Sequence, residues 1–303
     1  MFLLARDIKQ ICHLCQFSQM SGTHCEQAMA LAGLVQRDML TVMTAIARLE
    51  AQRAHGHITL QLGKRGVQVL REAGSAKCRI PAGSHEAVLI NTSGGLAGGD
   101  RLTVEAEALP GTSLTMTTQA AERAYRTLGA TASVDIILRA GSGSRLFWMP
   151  QELIMFEGSA VARRISVDLA GDATFLAVES LILGRTERGE TVEHVNLSDS
   201  WDIRQDGRLI HAERFRLGPD VTASIATLGP NKAMATLLFI GPGSASLLPG
   251  LRRSAGDGVQ ASEWNGKLIA RFLVRDGFHL RKSLIPAISA CVGPSAVPKV
   301  WTF

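Results

Sequence analysis

The stretch RLTVEAEAL, residues 101–109, decides the fold class of this chain. Every second residue up to position 108 is apolar: Leu102, Val104, Ala106 and Ala108. The residues between them are polar or acidic. A period of two is typical of a β-strand that turns one face to a core and the other to solvent. The stretch therefore predicts a half-buried strand.

The same alternation recurs along the chain. It is found in SVDIILRA (133–140) and RRISVDLA (163–170), and in shorter form in GTSLTMTTQ (111–119) and SRLFWM (144–149). Turn-forming pairs such as Pro110-Gly111 and Gly171-Asp172 separate these runs, and DIRQDGRLI (202–210) has the pattern of a hairpin that turns at Asp206-Gly207. Many short strands at about ten-residue spacing indicate an all-β or β-rich domain.

Helical patterns occur near both ends. Apolar residues recur at helical spacing over 28–53, which predicts an amphipathic helix. Near the C-terminus, SLLPGLRRSAG (246–256) predicts a short helix that Gly256 ends, and FHLRKSLIPAISACV (278–292) a helix that a proline kinks or restarts. KLIARFLV (267–274) predicts a further strand. We therefore expect a mainly β protein. A partly helical N-terminal extension over 1–54 precedes a single β-rich domain over 55–303, of β-helix or stacked-sheet type with a few helices.

The composition limits the classes of function. The chain has 303 residues, 46% hydrophobic and 19% charged, enough to bury a large core. The net charge is +5, but the basic residues are scattered and there is one tyrosine, which disfavours nucleic-acid binding. We expect no secretory signal, because Arg6, Asp7 and Lys9 are followed only by a broken apolar run, and no membrane span, since no apolar run reaches about 18 residues. The five cysteines, an odd number, indicate no disulfide framework, and we expect a cytoplasmic location.

The glycine-rich loop INTSGGLAGGDRL (90–102) has the composition of a phosphate-binding loop. Gly94 and Gly99 have P-loop spacing, but Asp100 and Arg101 stand where a P-loop needs lysine and a hydroxyl residue. A strand follows, so no helix N-terminus is available for an anion. We interpret the loop as a tight strand-to-strand turn whose glycines permit positive φ and close backbone approach, and which fixes Asp100.

Two carboxylates interrupt apolar strand faces. In TFLAVESLILG (174–184) both faces are apolar, as in a buried strand, and Glu179 lies among them. In LIHAERFRL (209–217), His211 and Glu213 project from one face together with three apolar residues, Leu209, Phe215 and Leu217. One alternative is a structural ion pair with a buried arginine. The other is a polar lining inside the domain, where oxygen and imidazole ligands would suit nickel or zinc.

Glu122, in TTQAAERAYRT (117–127), lies four residues before Arg126. On a helical turn the two side chains would form an ordinary surface pair, worth a few tenths of a kcal/mol. This is the interpretation that the local sequence favours.

The N-terminal region carries a cluster of thiols and imidazoles: Cys12, His13, Cys15, His24 and Cys25. One interpretation is a zinc or nickel site in a small interaction module. The other is an N-terminal extension with reduced thiols, which translation from Met39 or Met43 would remove.

No nucleophile motif of the G-x-S-x-G or H-E-x-x-H type is present. Glu179 and Glu213 could instead serve a two-carboxylate hydrolase. Such an enzyme would also need an aromatic platform for a sugar, and aromatic residues make up only 5% of the chain.

Six stretches, in order, resemble the urease accessory protein family UreD, called UreH in some lineages. They are LINTSGGLAGGDRL (89–102), TTQAAERAYRT (117–127), WMPQELIMFEGS (148–159), LILGRTERGE (181–190), WNGKLIARFL (264–273) and PKVW (298–301). The resemblance spans roughly residues 55–303 and leaves the first 50 residues outside.

The resemblance implies a non-enzymatic, β-rich scaffold that helps to insert nickel into apo-urease. It implies UreF, the GTPase UreG and the urease apoprotein as partners, GTP hydrolysis by UreG, a possible homodimer within the assembly, and only transient Ni²⁺. The family's acidic channel and metal-linked positions correspond to Asp100, Glu122, Glu179 and Glu213. His211, from the strand pattern, is a weaker metal candidate.

Overall fold

The computed structural model describes Arg37 and residues 53–185, 189–218, 228–256 and 258–301. The chain divides into two units, Met1–Arg53 and Ala54–Phe303, and the architecture below is that of the second. Apart from Arg37 and its last residue, the predicted helix over 28–53 lies outside the described residues, and so does the cysteine–histidine cluster over 12–25.

The described residues form seventeen β-strands, two α-helices and two short 3-10 turns. The strands are β1 (His55–Gly63), β2 (Gly66–Gly74), β3 (Ala76–Arg79), β4 (Glu86–Asn91), β5 (Arg101–Ala108), β6 (Ser113–Thr118), β7 (Glu122–Ala124), β8 (Ala132–Ala140), β9 (Arg145–Trp148), β10 (Leu153–Met155), β11 (Ala160–Leu169), β12 (Thr174–Leu183), β13 (Asn196–Gln205), β14 (Arg208–Leu217), β15 (Ala233–Ile240), β16 (Val259–Trp264) and β17 (Lys267–Val274). The helices are α1 (Ser244–Ala255) and α2 (Gly277–Val292), and the 3-10 turns are Pro294–Ala296 and Lys299–Trp301. The prediction of a mainly β protein is confirmed.

The strands form two sheets that pack on each other. Sheet A has the order β14-β13-β11-β8-β5-β1-β2, and sheet B has the order β16-β17-β15-β12-β9-β6-β4-β3, with β10 and β7 attached through β12. From β4 to β13 the chain passes back and forth between the sheets, and successive strands within each sheet pair in parallel. This is a β-solenoid-like coil, which confirms the prediction of a β-helix or stacked-sheet domain. Antiparallel pairs such as β1–β2 and β13–β14 close its edges.

Two apolar layers explain the strand patterns. Alternate residues of β5 enter the core between the sheets, which is why that strand is apolar on one face. Strand β12 lies in the middle of sheet B, so Phe175 packs in the core between the sheets while Leu176 packs under the helices with Leu284 and Ile288. Both faces of β12 are therefore covered, and Glu179 is buried with them.

The predicted turns and C-terminal elements are present. The β13–β14 hairpin turns at Asp206 and Gly207, whose φ angles of 50° and 79° suit a two-residue hairpin turn. Helix α1 ends before Gly256, and α2 contains Pro286 and continues through it. No helix in the described ranges is long and apolar enough to cross a membrane.

A bulge in the β13–β14 hairpin corrects one prediction. Ile203 pairs with His211 and Arg204 pairs with Leu209, so Ile210 has no partner across the hairpin. The extra residue reverses the alternation of side chains on one side of it. Leu209 was expected to share the face of His211, but it is 49% exposed, and Ile210 packs against the core instead.

The last described residues pack against sheet B. The Trp301 indole is buried and donates a hydrogen bond to the Met149 carbonyl at 3.0 Å. The Gln151 side-chain amide donates to the Val300 carbonyl at 2.7 Å, and the guanidinium of Arg281 on α2 donates to the Gln151 side chain. The stretches WMPQE and PKVW, distant in sequence, thus form one contact.

We predict that Trp301→Ala lowers the free energy of unfolding by about 3–5 kcal/mol, because it opens a cavity beneath the helices and leaves a carbonyl without its donor. The matched control is Trp264→Ala, at an indole that is 41% exposed and contacts the Lys267 ammonium. Its expected loss is about 1 kcal/mol or less. Urea denaturation measures both, and equal losses would contradict the prediction.

Candidate functional site

A buried ionic network spans the interior between the two sheets. Arg163 on β11 lies directly opposite Asp199 on β13 in sheet A, and Glu179 reaches them from β12 of sheet B. Nε and Nη2 of Arg163 donate to the two oxygens of Asp199 at 3.2 and 2.5 Å, and Nη1 donates to Oε2 of Glu179. All three side chains are buried. The network therefore joins the sheets through charge-assisted hydrogen bonds.

Two indoles complete the network. Trp148 Nε1 donates to Glu179 Oε1 at 2.7 Å, and Trp201 Nε1 donates to Asp199 Oδ1 at 3.1 Å. Each oxygen of both carboxylates therefore receives a donor. Pairing of β9 with β12 brings Trp148 next to Glu179, while Trp201 follows Asp199 by two residues on the same strand face.

The network contains one guanidinium for two carboxylates. Burial raises the pKa of Glu179 to about 7, Asp199 adds repulsion, and attraction to Arg163 opposes the rise. Burial also opposes the charge of Arg163, but the two carboxylates hold its pKa above the ordinary value. With both acids ionised, the network carries one uncompensated negative charge.

Two cavities meet at this network. The first, of about 210 Å³, is lined mainly by apolar side chains, with Asn91 and Glu122 among its polar residues, and we call it the Glu122 cavity. The second, of about 460 Å³, contains Glu213, and we call it the Glu213 cavity. Arg163 and Glu179 line both cavities. The ionic network therefore stands between them.

Glu122 lies on β7, which is extended and pairs with β10. The expected helical pair with Arg126 is wrong, because extended backbone moves residues four positions apart out of contact. The Glu122 carboxylate instead accepts hydrogen bonds from the Asn91 amide at 3.3 and 3.2 Å. Burial raises its pKa to about 6, and the Asn91 donor opposes that rise. Glu122 is thus a cavity residue.

Glu213 is held by an arginine from the opposite sheet. Arg271 on β17 donates to the Glu213 carboxylate and, at 2.6 Å, to the Thr236 hydroxyl. His211 Nε2 lies 3.9 Å from Glu213 Oε2 and, among the described residues, is a buried ring nitrogen without a hydrogen-bond partner. Burial lowers the pKa of His211, the charges of Lys267 and Arg271 act in the same direction, and Glu213 opposes them. The lowered pKa favours the neutral imidazole, which has a lone pair on Nε2 in one tautomer.

Asp100 is buried and bound to the backbone. Its Oδ1 accepts a hydrogen bond from the Ala54 amide and its Oδ2 from the Ala97 amide, both at 2.8 Å. The described residues that line the two cavities do not include it. The turn thus fixes Asp100, as expected, and Asp100 in return holds the turn closed.

The glycines of the same loop allow close backbone approach. A Cβ atom on Gly98 would lie 2.0 Å from the Thr127 hydroxyl and 2.4 Å from the Ala130 carbonyl. The neighbouring Leu96 amide donates to the Arg123 carbonyl at 2.7 Å. The loop therefore lies directly against the segment that begins with β7 and carries Glu122.

Of the four predicted acids, the structure places three along the interior. Glu122 and Glu179 share the first cavity, Glu179 and Glu213 share the second, and Asp100 lies outside both linings. No group of three or more His, Cys, Asp or Glu side chains disposed to hold a metal ion occurs within the described ranges. The acids are thus arranged in series and not as one metal centre.

Arg163 and Asp199 were not predicted as site residues, although the alternation of their strands marks them as buried. In RRISVDLA, Arg163 has the phase of the buried Ile165 and Val167, and Asp199 has the phase of Trp201. Glu179 was identified because it is a charged residue among the apolar, inward-facing residues of its strand. The same criterion, applied to β11 and β13, identifies Arg163 and Asp199.

Comparison with known proteins assigns the family. The family model described as UreD urease accessory protein matches residues 50–302. The chain belongs to the UreD family. A relative named urease accessory protein UreD from Rhizobium leguminosarum bv. viciae is 44% identical over 271 residues, covering 86% of this chain and 99% of the relative. Proteins of the same name from Rhizobium rhizogenes and Agrobacterium fabrum are 45% and 44% identical, covering 86% and 84% of this chain and 99% and 92% of those proteins.

Membership of the UreD family makes this chain a urease accessory protein, which fits a non-enzymatic role. The residues that match the UreD model include both cavities and the ionic network between them. The resemblance seen in the six stretches is confirmed, and these buried polar residues belong to a UreD domain.

We predict that Asp100→Asn lowers the free energy of unfolding by about 1–3 kcal/mol, because the amide nitrogen would face a backbone N–H donor in place of an acceptor. Asp168→Asn, at an exposed position on β11, is the matched control, with an expected change within about 0.5 kcal/mol. Urea denaturation decides between them. A loss no larger than that of the control would show that Asp100 does not hold the turn.

A second prediction concerns pH. Because the pKa of Glu122 is raised from 4.5 to about 6 on folding, the native state loses stability as pH rises between these values. Glu122→Gln removes the buried charge, so the variant should gain about 1–2 kcal/mol relative to the wild type between about pH 4 and pH 8. Denaturation at both pH values measures this gain. The exposed control Glu193→Gln should show none, and a pH-independent difference for Glu122→Gln would refute the assignment.

Proposed function

We propose that this chain is a urease maturation chaperone, a scaffold that acts with UreF and the GTPase UreG to deliver nickel into apo-urease. Nickel is the cargo, held only in transit, and GTP hydrolysis belongs to UreG. We place this assembly in the cytoplasm, with a homodimer of this chain within it.

The series of carboxylates along the two cavities supports the proposal most directly. Glu179 is buried where the cavities meet, and the partly buried Glu122 and Glu213 open on the first and the second cavity. Removal of acids from water costs free energy, so a fold that places three of them along its interior favours a function that uses them. Passage of a divalent cation from one carboxylate to the next is such a function.

The chemistry of these ligands suits transfer and not storage. Single carboxylates bind nickel more weakly than thiolates or several imidazoles would. Each acid already has a partner, Asn91 for Glu122 and an arginine for each of Glu179 and Glu213, so nickel must compete for it. Competition lowers the affinity further and favours release. The neutral His211 beside Glu213 adds one nitrogen ligand.

The bound state of Asp100 supports an indirect contribution to the route. One of its oxygens accepts from Ala97 in the glycine-rich loop and the other from Ala54 just before β1, and the loop lies against β7. In our proposal Asp100 positions the strand that carries Glu122.

The alternative of a two-carboxylate hydrolase gains no support from the geometry. Such an enzyme needs one free acid and one free base or nucleophile on either side of a substrate. Glu179 is held by Arg163 and Trp148, and Glu213 is held by Arg271. The two ion pairs leave neither carboxylate in that role.

We predict that Glu179→Gln lowers the free energy of unfolding by about 1–3 kcal/mol, because its amide nitrogen faces the Arg163 donor. The chain should still fold and bind UreF, UreG and urease, because the amide oxygen accepts from Trp148 and Arg163 keeps Asp199. The rate of nickel-dependent urease activation should fall by about tenfold or more, the scale on which such metal-linked contacts act. Glu213→Gln should act in the same direction. Co-purification measures assembly, and urease activity after addition of nickel measures delivery.

The matched control is Glu193→Gln, an exposed carboxylate outside both cavity linings, which should activate urease at the wild-type rate. The nickel route would be contradicted if Glu179→Gln and Glu213→Gln assembled normally and activated urease as fast as this control. Failure of the wild-type chain to co-purify with any of the three partners would contradict the scaffold role.

A further inference from the structure

The guanidinium of Arg163 occupies the boundary between the Glu122 cavity and the Glu213 cavity. It contacts a carboxylate from each sheet, Asp199 on its own side and Glu179 on the other. Arg163 and Glu179 line both cavities. A cation that moves from Glu122 to Glu213 by way of the two cavities would therefore pass beside this guanidinium.

The Arg163 guanidinium makes more hydrogen bonds to Asp199 than to Glu179. Two of its nitrogens, Nε and Nη2, bind Asp199, and one, Nη1, binds Glu179. Asp199 is itself held by the Trp201 indole and lies directly opposite Arg163 in the β11–β13 register. Arginine binds a carboxylate most firmly through such a two-point contact. The contact with Glu179 is therefore the one that a competitor breaks first.

We propose that Arg163 is a positioning residue that gates the passage between the cavities and, by occupying Glu179 and Asp199 together, keeps them from trapping nickel. The proposal rests on the nickel delivery proposed above. A cation that reaches Glu179 displaces Nη1, while Asp199 retains the guanidinium through its other two nitrogens. Asp199 is thus the second positioning residue, since it anchors the gate.

The cost of releasing Glu179 depends on whether Arg163 keeps another partner. Displacement of a buried arginine with no second partner would strand an unpaired charge at a cost of several kcal/mol. Asp199 removes that cost, because the guanidinium stays paired while Glu179 is free to bind the cation. Without Arg163, the two carboxylates would face each other as a pair of buried oxygen ligands, which would hold a divalent cation firmly. Arg163 thereby keeps the affinity of Glu179 and Asp199 for nickel low.

The first test is nickel binding by the purified full-length chain, measured by equilibrium dialysis against Ni²⁺. Arg163→Gln removes the charge, and its dissociation constant for nickel should fall by about tenfold or more relative to the wild type. The double variant Arg163→Gln with Glu179→Gln should return to the wild-type value, because one carboxylate is gone. Arg163→Lys, which keeps a cation between the acids, should also bind nickel no more tightly than the wild type.

A purely structural role for Arg163 predicts a different pattern. Arg163→Gln would then lose stability without gaining affinity for nickel, and adding nickel would not raise its melting temperature. Wild-type nickel affinity in a folded Arg163→Gln variant, verified by circular dichroism, overturns the proposal. Tight binding that persists in the double variant overturns it as well, since the site would lie elsewhere.

A second variant covers the case in which Arg163→Gln does not fold. Asp199→Asn leaves one guanidinium with one carboxylate, so the contact of Arg163 with Glu179 becomes the dominant one. The gate should close, and the nickel concentration for half-maximal urease activation should rise severalfold. An unchanged concentration in the assembled complex overturns the proposal.

The two proposals fail in different ways. If the wild-type chain does not support urease activation, the proposed function fails, whereas nickel binding by Arg163→Gln is measured without urease and decides the gate by itself. If Glu179→Gln slows activation but the Arg163 and Asp199 variants behave as the wild type, the nickel route stands and the gate falls.

Discussion

The cost of burying charge between two β-sheets is the constraint on which this structure depends. Three ionisable side chains lie in a layer that is mainly apolar, and each would cost several kcal/mol if it were left alone. The strand register meets this cost, because it sets Arg163 opposite Asp199 in sheet A and brings Glu179 and Trp148 together in sheet B. A shift of one residue in β11 would turn Arg163, Ile165 and Val167 to the outer face and bring Arg164, Ser166 and Asp168 into the core.

The two cavities adjoin this network. Space remains beside Arg163 and Glu179, which line both cavities. The glycine-rich loop and Asp100 secure the side of the first cavity on which Glu122 lies, and the second is bounded by Glu213 with its arginine from sheet B. The charged residues to which we assign nickel transport are therefore also residues that hold the two sheets together.

Much of the fold and part of the site could be predicted from local patterns. The alternation in β5, the turn at Asp206-Gly207 and the helix that ends at Gly256 are local, so each was predicted correctly. The bulge at Ile210 was not, because one extra residue leaves no mark in the composition yet reverses the faces on one side of it. The predicted pairing of Glu122 with Arg126 was wrong for a related reason. The distance between residues four positions apart depends on the backbone conformation, and here pairing with β10 makes that backbone extended.

The sequence by itself determined that this chain is β-rich, that it resembles the UreD family, and that Glu179 and Glu213 interrupt apolar strands. These properties follow from the spacing of apolar residues and the order of the motifs, and both can be read directly from the sequence. Only the tertiary structure decided which charges meet. Arg163, Glu179 and Asp199 come from three strands in two sheets, and their contact depends on the coil that brings β11, β12 and β13 around one interior. Which charges pair in the core depends on the distances between side chains in the folded protein, and local sequence patterns do not determine those distances.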